Sequence, residues 1–158
     1  MVVVSPVTRA SLPFLTEGLR ALARDLRDPF RATEETLARA LFAARPACYG
    51  LLAQEGAALR GVVLYAPLMS TAFGTPGLYV SDLWIAKTAR GTGLGRRMLA
   101  RVAQHGRAVW GASFLRLAAY DDNPDALAFY QRLGFQTPEG ETTLRLGGQL
   151  FDDLARSG

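Results

Sequence analysis

The chain has 158 residues, 49% of them hydrophobic and 20% charged, with a formal net charge of +4 at pH 7. We expect one compact domain spanning residues 1–158, and the dispersed charges argue against a disordered tail or a nucleic-acid-binding arm, although a modest positive excess favours anionic ligands. A single cysteine and a single histidine exclude an internal disulfide and a clustered His/Cys metal site.

The first elements predicted along the chain are a strand and two helices. Residues 2–8 are β-rich, and leucines then recur at helical spacing from Leu12 to Leu26, where Asp28-Pro29 ends the pattern. Thr33 followed by two glutamates predicts the N-cap and acidic first turn of a second helix through Ala44. No apolar run reaches the ~20 residues of a membrane span, and the opening run is too short for a signal segment, so a soluble, cytoplasmic protein is expected.

The middle of the chain predicts a hairpin and a buried strand. Residues 47–54 and 58–69 flank Glu55-Gly56 and should pair antiparallel. A loop is predicted at residues 70–77, followed by the most apolar strand, residues 78–86, which we expect to be central and buried on both faces. Ser81 and Asp82 are conspicuous as polar residues in that strand.

The second half alternates helices and strands. A glycine-rich turn at residues 90–95 precedes a helix to about Trp110. Asn123-Pro124-Asp125 predicts the start of a short helix that ends at Leu133-Gly134. The remaining predicted elements are a strand at residues 114–120, closing strands at 135–137 and 142–146, and a helical segment at 149–155.

The turn from Arg90 to Gly95 has the chemistry of a phosphate site. Amides at a helix start lack intrahelical partners, and glycines allow positive φ and a close approach of an anion. A tight turn that needs glycines for packing alone is the competing interpretation. A Walker site is disfavoured because no Gly-Lys-Ser/Thr follows, and a dinucleotide fingerprint would need glycine at Arg96.

Two motifs together resemble one family. Arg90, Gly93 and Gly95 match the R/Q-x-x-G-x-G/A motif of the GNAT acetyltransferases, and residues 123–130 (Asn-Pro-Asp-Ala-Leu-Ala-Phe-Tyr) match a second motif of that family. The resemblance covers Leu78 to Phe135 and extends to the order of the preceding elements. It implies an α/β (α+β) GNAT fold, with a mixed, largely antiparallel sheet of six to seven strands flanked by helices and splayed between strands 4 and 5.

The resemblance also implies an activity, the transfer of an acetyl group from acetyl-CoA directly to a primary amine of a small molecule or peptide, without a metal. Two other interpretations stay open at this stage: a non-catalytic acetyl-CoA sensor, and a nucleotide-phosphate binder unrelated to CoA. Residues 78–85 are similar to the diamine-acetylating branch, in which a glutamate usually stands at the position of Ser81. Serine cannot replace a carboxylate base, and a net positive charge suits a polycationic acceptor poorly.

Roles follow by resemblance. The amides of residues 90–95 would hold the pyrophosphate, the main chain of Leu83 and Ile85 would pair with the pantetheine arm, and Asn123 would both cap its helix and contact that arm. The cofactor-binding set is Leu83, Trp84, Ile85, Arg90, Gly91, Thr92, Gly93, Leu94, Gly95, Arg96, Asn123, Ala126 and Tyr130.

Three residues are catalytic candidates. Tyr130 would donate a hydrogen bond or a proton to the departing thiolate. Ser81 and Asp82 lie where a base is expected, and Asp82, another acid or an ordered water would deprotonate the amine. Asp82 hydrogen-bonded to backbone in a purely structural role is an equal alternative. His105 is expected on the solvent side or at a helix end, Cys48 as a small buried residue, and the apolar C-terminal segment could support a homodimer.

Overall fold

The computed structural model describes residues 1–158, which form two compact units, Met1–Tyr120 and Asp121–Gly158. That they form a single domain stays a prediction. The elements of the first unit are β1 (Val3–Pro6), α1 (Leu12–Leu26), α2 (Glu34–Phe42), β2 (Tyr49–Glu55), β3 (Ala58–Ser70), β4 (Thr75–Ile85), a 3-10 turn (Lys87–Ala89), α3 (Leu94–Trp110) and β5 (Leu115–Leu117). The elements of the second unit are α4 (Pro124–Arg132) and α5 (Gln149–Arg156).

The sheet has five strands in the order β1-β2-β3-β4-β5. The first four pair antiparallel, and β5 pairs parallel to β4 after the α3 crossover. The mixed, largely antiparallel α/β architecture predicted from the sequence is therefore confirmed. The predicted number of six to seven strands is wrong.

The missing strands are the two closing ones, residues 135–137 and 142–146, which form no ladder. The threonines and leucines of residues 142–146 favoured a strand there, but Leu144 is 87% exposed and Leu146 is 47% exposed. Glycines with positive φ, Gly140 and Gly148, lie on either side of the second segment. The burial that normally stabilises a patterned strand is therefore absent.

Helices cover both faces of the sheet. Gly18 on α1 lies so close to β3 that an added Cβ would be 2.4 Å from Val62 Cγ1, whereas a Cβ on Gly61 would be 2.8 Å from Met98 Sδ on α3. Neighbouring residues on a strand point to opposite faces, so α1 and α3 pack on opposite sides. The cluster on the α1 side is formed by α1, α2, β2 and β3, and its buried residues are Val7, Leu12, Leu15, Leu19, Leu37, Leu41, Leu52, Val62 and Leu64.

Local signals explain the helix starts. The Thr33 side chain accepts a hydrogen bond from the Thr36 amide at 3.1 Å, and Thr36 Oγ1 accepts from the Thr33 amide at 2.9 Å, a reciprocal capping box. The N-cap predicted at Thr33 is confirmed. The capping partner is a threonine in place of the usual Glu or Gln.

Two expectations for β4 are wrong. The predicted loop at residues 70–77 is only four residues long, because β3 extends to Ser70 and β4 begins at Thr75. The strand is also not buried on both faces, since Tyr79 is 37% exposed and Ser81 is exposed as well. The continuous apolar run predicted burial of both faces of the strand. The side chains of Tyr79 and Ser81 are instead accessible to solvent.

Candidate functional site

A β-bulge interrupts β4 at the predicted polar pair. Asp82 pairs with Leu64 and Val80 pairs with Tyr65, so Ser81 is the extra residue without a partner in the register. Its Oγ donates to the Leu64 carbonyl at 3.5 Å. Because a bulge inserts one extra residue, the peptide groups that face a given neighbouring strand shift by one residue beyond it.

The edge of β4 that follows the bulge has no strand beside it. The parallel pairing with β5 covers only Leu78 to Val80. The Ala86 amide donates to the Arg60 carbonyl at 2.9 Å, which identifies the residues of β4 whose peptide groups face β3. By alternation, the N–H and C=O groups of Leu83 and Ile85 face the other way, towards the edge where β5 has diverged.

The glycine-rich turn follows this open edge. Gly91 and Gly93 have φ of +77° and +81°, values that side chains rarely adopt. An added Cβ at either position would meet nothing within 4 Å, so packing does not require these glycines. Thr92 Oγ1 donates to the Ala89 carbonyl at 2.7 Å and braces the turn. The need for glycine is therefore conformational.

Helix α3 begins at the end of this turn with unused donors. Its first hydrogen bond runs from the Arg97 amide to the Gly93 carbonyl at 3.0 Å, and no side chain caps the helix. The amides of Leu94, Gly95 and Arg96 therefore precede the hydrogen-bonded ladder. Arg96 is exposed and takes part in none of the ion pairs, so a free cation stands beside these amides.

The Arg90 side chain turns away from the helix start. Its Nη2 donates to Asp25 Oδ2 at 2.7 Å, and its Nε donates to the Ile85 carbonyl at 3.0 Å. Trp84 Nε1 donates to the same Asp25 oxygen at 3.3 Å. Sequence reasoning missed Asp25, because nothing local in α1 relates it to a turn far along the chain.

Asp82 is a half-buried carboxyl group beside the bulge. Burial raises its pKa, and the neighbouring Ser81 side chain partly offsets that rise. Burial, and then the charge of Asp82, raise the pKa of the Cys48 thiol. Cys48 is half-buried against the α1-side cluster, so Asp82 lies close to the face of the sheet that α1 and α2 cover.

The second unit carries the other predicted residues on α4. Asn123 caps the helix by accepting a hydrogen bond from the Ala126 amide at 3.2 Å, which confirms the predicted cap. The Tyr130 ring packs against Phe129 and Phe135, with centroids 5.1 Å and 5.4 Å apart. Burial raises the pKa of the Tyr130 phenol, so it keeps its proton at neutral pH.

His105 is not at the solvent side or at a helix end, as the sequence suggested. It lies mid-α3, half-buried, with Nδ1 2.9 Å from the Tyr65 hydroxyl. The rings of Tyr49 and Trp110 pack around it at 5.5 Å and 5.2 Å. Burial, followed by the nearby Tyr49, raises the pKa of Tyr65 to about 12. This aromatic cluster fills the α3 side of the sheet.

Two further features bear on function. No helix in the structure is long and apolar enough to cross a membrane. No group of three or more His, Cys, Asp or Glu side chains could hold a metal ion.

Comparisons with known proteins agree with this geometry. The model of the acetyltransferase (GNAT) family matches residues 19–135. The thialysine N-epsilon-acetyltransferase of Sus scrofa is 29% identical over 141 residues, covering 82% of each chain, and the mouse (Mus musculus) protein of that name is 29% identical over 136 residues, covering 79% of each chain.

Solved structures share the fold. A ribosomal-protein-alanine N-acetyltransferase from Brucella melitensis biovar Abortus 2308 superposes with a TM-score of 0.74 at 20% identity, covering 92% of this chain and 100% of the other. An aminoglycoside acetyltransferase from an uncultured soil metagenomic sample gives a TM-score of 0.76 at 16% identity, covering 94% and 97%. The family resemblance predicted from the two motifs is confirmed: the chain belongs to the GNAT acetyltransferase family and is an acyltransferase.

Proposed function

We propose that this protein is an N-acetyltransferase that transfers the acetyl group of acetyl-CoA directly to a primary amine. The observation that carries the proposal is the continuity of two sets of backbone N–H donors without a partner. The open edge of β4 at Leu83 and Ile85 leads through the glycine-rich turn into the free amides at the start of α3.

These surfaces fit the two halves of the coenzyme. A pantetheine arm carries amide groups, which can pair with an unpartnered strand edge as an added strand would. A diphosphate suits the helix-start amides of Leu94, Gly95 and Arg96, where the helix dipole and the exposed Arg96 guanidinium both favour negative charge. Gly91, Thr92 and Gly93 shape the approach to those amides, and Asn123 and Ala126 open the helix that carries Tyr130.

When bound, acetyl-CoA supplies an acetyl group activated as a thioester. The peptide N–H of Ile85, which faces the open edge, is placed to donate to a developing negative charge on an oxygen. The carbonyl of the same residue is already held by Arg90 Nε. That bond orients the Ile85–Ala86 peptide, which follows the peptide that contains the Ile85 N–H.

Asp82 is the group that we assign to accepting the amine proton. A carboxyl group whose pKa is raised by burial is a stronger base than an exposed one. Ser81, whose Oγ donates to the Leu64 carbonyl, cannot itself replace a carboxylate. The two residues lie next to each other at the bulge of β4.

Tyr130 is assigned to the sulfur. Because burial raises its pKa further above that of a thiol, complete proton transfer from the phenol to a thiolate is uphill. We therefore assign to Tyr130 Oη the donation of a hydrogen bond, with the proton remaining on the phenol.

The acceptor is proposed to be a small molecule or peptide with a primary amine. The relatives are named for thialysine, aminoglycosides and the alanine of a ribosomal protein, all of which present an amine. A homodimer is also proposed, since Leu150, Phe151 and Leu154 are exposed on α5. A cytoplasmic location stays a prediction.

Thiol release tests the proposal. Purified protein is incubated with acetyl-CoA and, separately, thialysine, an aminoglycoside and a peptide with N-terminal alanine, while free CoA thiol is measured. We expect release that depends on at least one of these amines. Binding of acetyl-CoA without release in any reaction would instead support the sensor interpretation.

A further inference from the structure

The arginine that opens the glycine-rich turn has a different role from the one its sequence motif suggests. Arg90 stands next to a phosphate-type turn, where a positive side chain is expected to contact phosphate. In the structure its guanidinium is already occupied by the Asp25 carboxylate and the Ile85 carbonyl.

Asp25 is unfavourably placed for its own helix. It lies in the last turn of α1, where the helix dipole disfavours a negative charge. Its ion pair with Arg90 is partly exposed, with 31% of the Asp25 side chain and 51% of the Arg90 side chain accessible. Such pairs add little to stability. A positioning role accounts for an acidic residue at this place better than a stabilising one.

The Asp25 carboxylate connects α1 with β4 and with the glycine-rich turn. It accepts hydrogen bonds from Trp84 Nε1 on β4 and from the Arg90 guanidinium, whose Nε in turn donates to the Ile85 carbonyl. The last of these is a peptide group of the open edge. An oriented Ile85 carbonyl fixes the plane of the following peptide and the course of the chain into the turn.

We infer that Asp25 is a positioning residue that holds Arg90 against the Ile85 carbonyl, so that Arg90 shapes the edge that receives the pantetheine arm and does not bind phosphate. This inference rests on the proposed function. It leaves Arg96 as the cation for the diphosphate, because Arg97 donates to the Val2 carbonyl at 2.7 Å.

Two soluble probes, CoA and ADP, distinguish an Arg90 that shapes the edge of β4 from an Arg90 that binds phosphate. CoA contains both the diphosphate and the pantetheine arm, whereas ADP contains the diphosphate without that arm. Calorimetry measures both affinities for wild type, Asp25→Ala, Arg90→Met and the double variant. Glu17→Ala on an exposed position of α1 and Arg101→Met on an exposed position of α3 are matched controls.

We expect Asp25→Ala and Arg90→Met each to weaken CoA binding about tenfold, which corresponds to ~1.4 kcal/mol, with ADP binding unchanged. The double variant should bind CoA no more weakly than Arg90→Met, because both changes break one chain of contacts. Arg90→Lys, which keeps the charge but loses the Nε donor, should behave as Arg90→Met.

Opposite results would overturn the inference. If Arg90 binds phosphate, Arg90→Met weakens ADP and CoA equally, and Asp25→Ala strengthens ADP binding by freeing the guanidinium. Unchanged CoA affinity in Asp25→Ala would also overturn it, and this variant keeps the test valid if Arg90→Met does not fold. Failure of the proposed function is distinguishable, since it would show in wild type itself, as no CoA binding or as acetyl-CoA binding without thiol release.

Discussion

At the residue scale, the proposed chemistry depends on how burial changes the pKa of two acids, Asp82 and Tyr130. Asp82 and Tyr130 both have a raised pKa because their charged forms are poorly solvated. For a carboxyl group this increases basicity, and for a phenol it keeps the proton in place. The same physical cause therefore favours proton acceptance at Asp82 and hydrogen-bond donation at Tyr130.

Replacing Asp82 with asparagine should have opposite effects on activity and stability. We expect kcat/KM to fall about 100-fold, the loss typical of removing a general base. Since the folded-state pKa is raised, the ionised carboxylate costs stability at neutral pH, and Asp82→Asn should be more stable there. The stability difference should disappear as pH falls below ~4, where the unfolded carboxyl is protonated too.

Denaturant unfolding across pH, with Asp152→Asn as an exposed control, measures this difference. Full activity in Asp82→Asn would contradict its role as base. A stability difference that grows towards acid pH would contradict the direction of its pKa shift.

Tyr130→Phe should lower kcat about fivefold, since one hydrogen bond is worth ~1 kcal/mol, and should leave the dissociation constant of CoA unchanged. Tyr49→Phe, in the aromatic cluster beside His105, is the control. Steady-state kinetics and calorimetry measure the two quantities. An unchanged kcat would remove Tyr130 from the reaction, and a loss beyond about 1,000-fold would point to full proton transfer.

At the scale of elements, the glycine-rich turn and the open edge of β4 carry the binding hypothesis. Both consist of backbone donors that other protein groups do not use. Side-chain changes therefore test them only indirectly, through backbone conformation and amide exchange.

Gly93→Ala should cost ~1–2 kcal/mol of stability, the penalty of a left-handed conformation for a residue with a Cβ. It should also weaken CoA binding, because the turn relaxes. Gly74→Ala is a matched control, since Gly74 has φ of +65° with nothing within 4 Å of an added Cβ, in the β3–β4 turn. Equal CoA affinities in the two variants would contradict a role for the turn in binding.

Amide hydrogen exchange followed residue by residue tests the open edge. The Leu83 and Ile85 amides should exchange faster than those of Asp82 and Trp84, which face β3. Addition of CoA should slow exchange at Leu83 and Ile85 selectively. Uniform rates along the strand, or no change with CoA, would contradict the proposed pairing.

The sequence was most informative where local signals agree. The leucine spacing of α1, the Thr33 cap, the Gly56 turn and the Asn123 cap all predicted real features. The bulge at Ser81 and the contacts of Asp25 with Trp84 and Arg90 join residues that are distant in sequence, so no local pattern predicts them. The prediction of the two closing strands was wrong because residues that favour β structure form a strand only where a partner strand and a buried face are available.

At the scale of the whole molecule, the family assignment came from two motifs at the correct separation. Gly93 ends a strand-to-helix turn, Gly95 lies in the first turn of α3, and Asn123 caps a later helix after the crossover. The order of elements was predictable because each has its own periodicity or cap. The identity of the acceptor was not predictable, since proteins named for different acceptors share this fold.

Ligand binding should also be visible in global stability. A ligand that binds only the folded chain raises stability by ~2.7 kcal/mol at 100 times its dissociation constant. We therefore expect acetyl-CoA to raise the Tm, with ATP giving a smaller shift at equal concentration. A larger shift with ATP would favour a nucleotide-phosphate binder unrelated to CoA.

The most direct test of the central claim is calorimetric titration of the folded, purified protein with acetyl-CoA. The open edge of β4 and the free amides of α3 predict saturable binding at one site per chain, with a micromolar to sub-millimolar dissociation constant. The absence of saturable binding at millimolar acetyl-CoA would contradict the account.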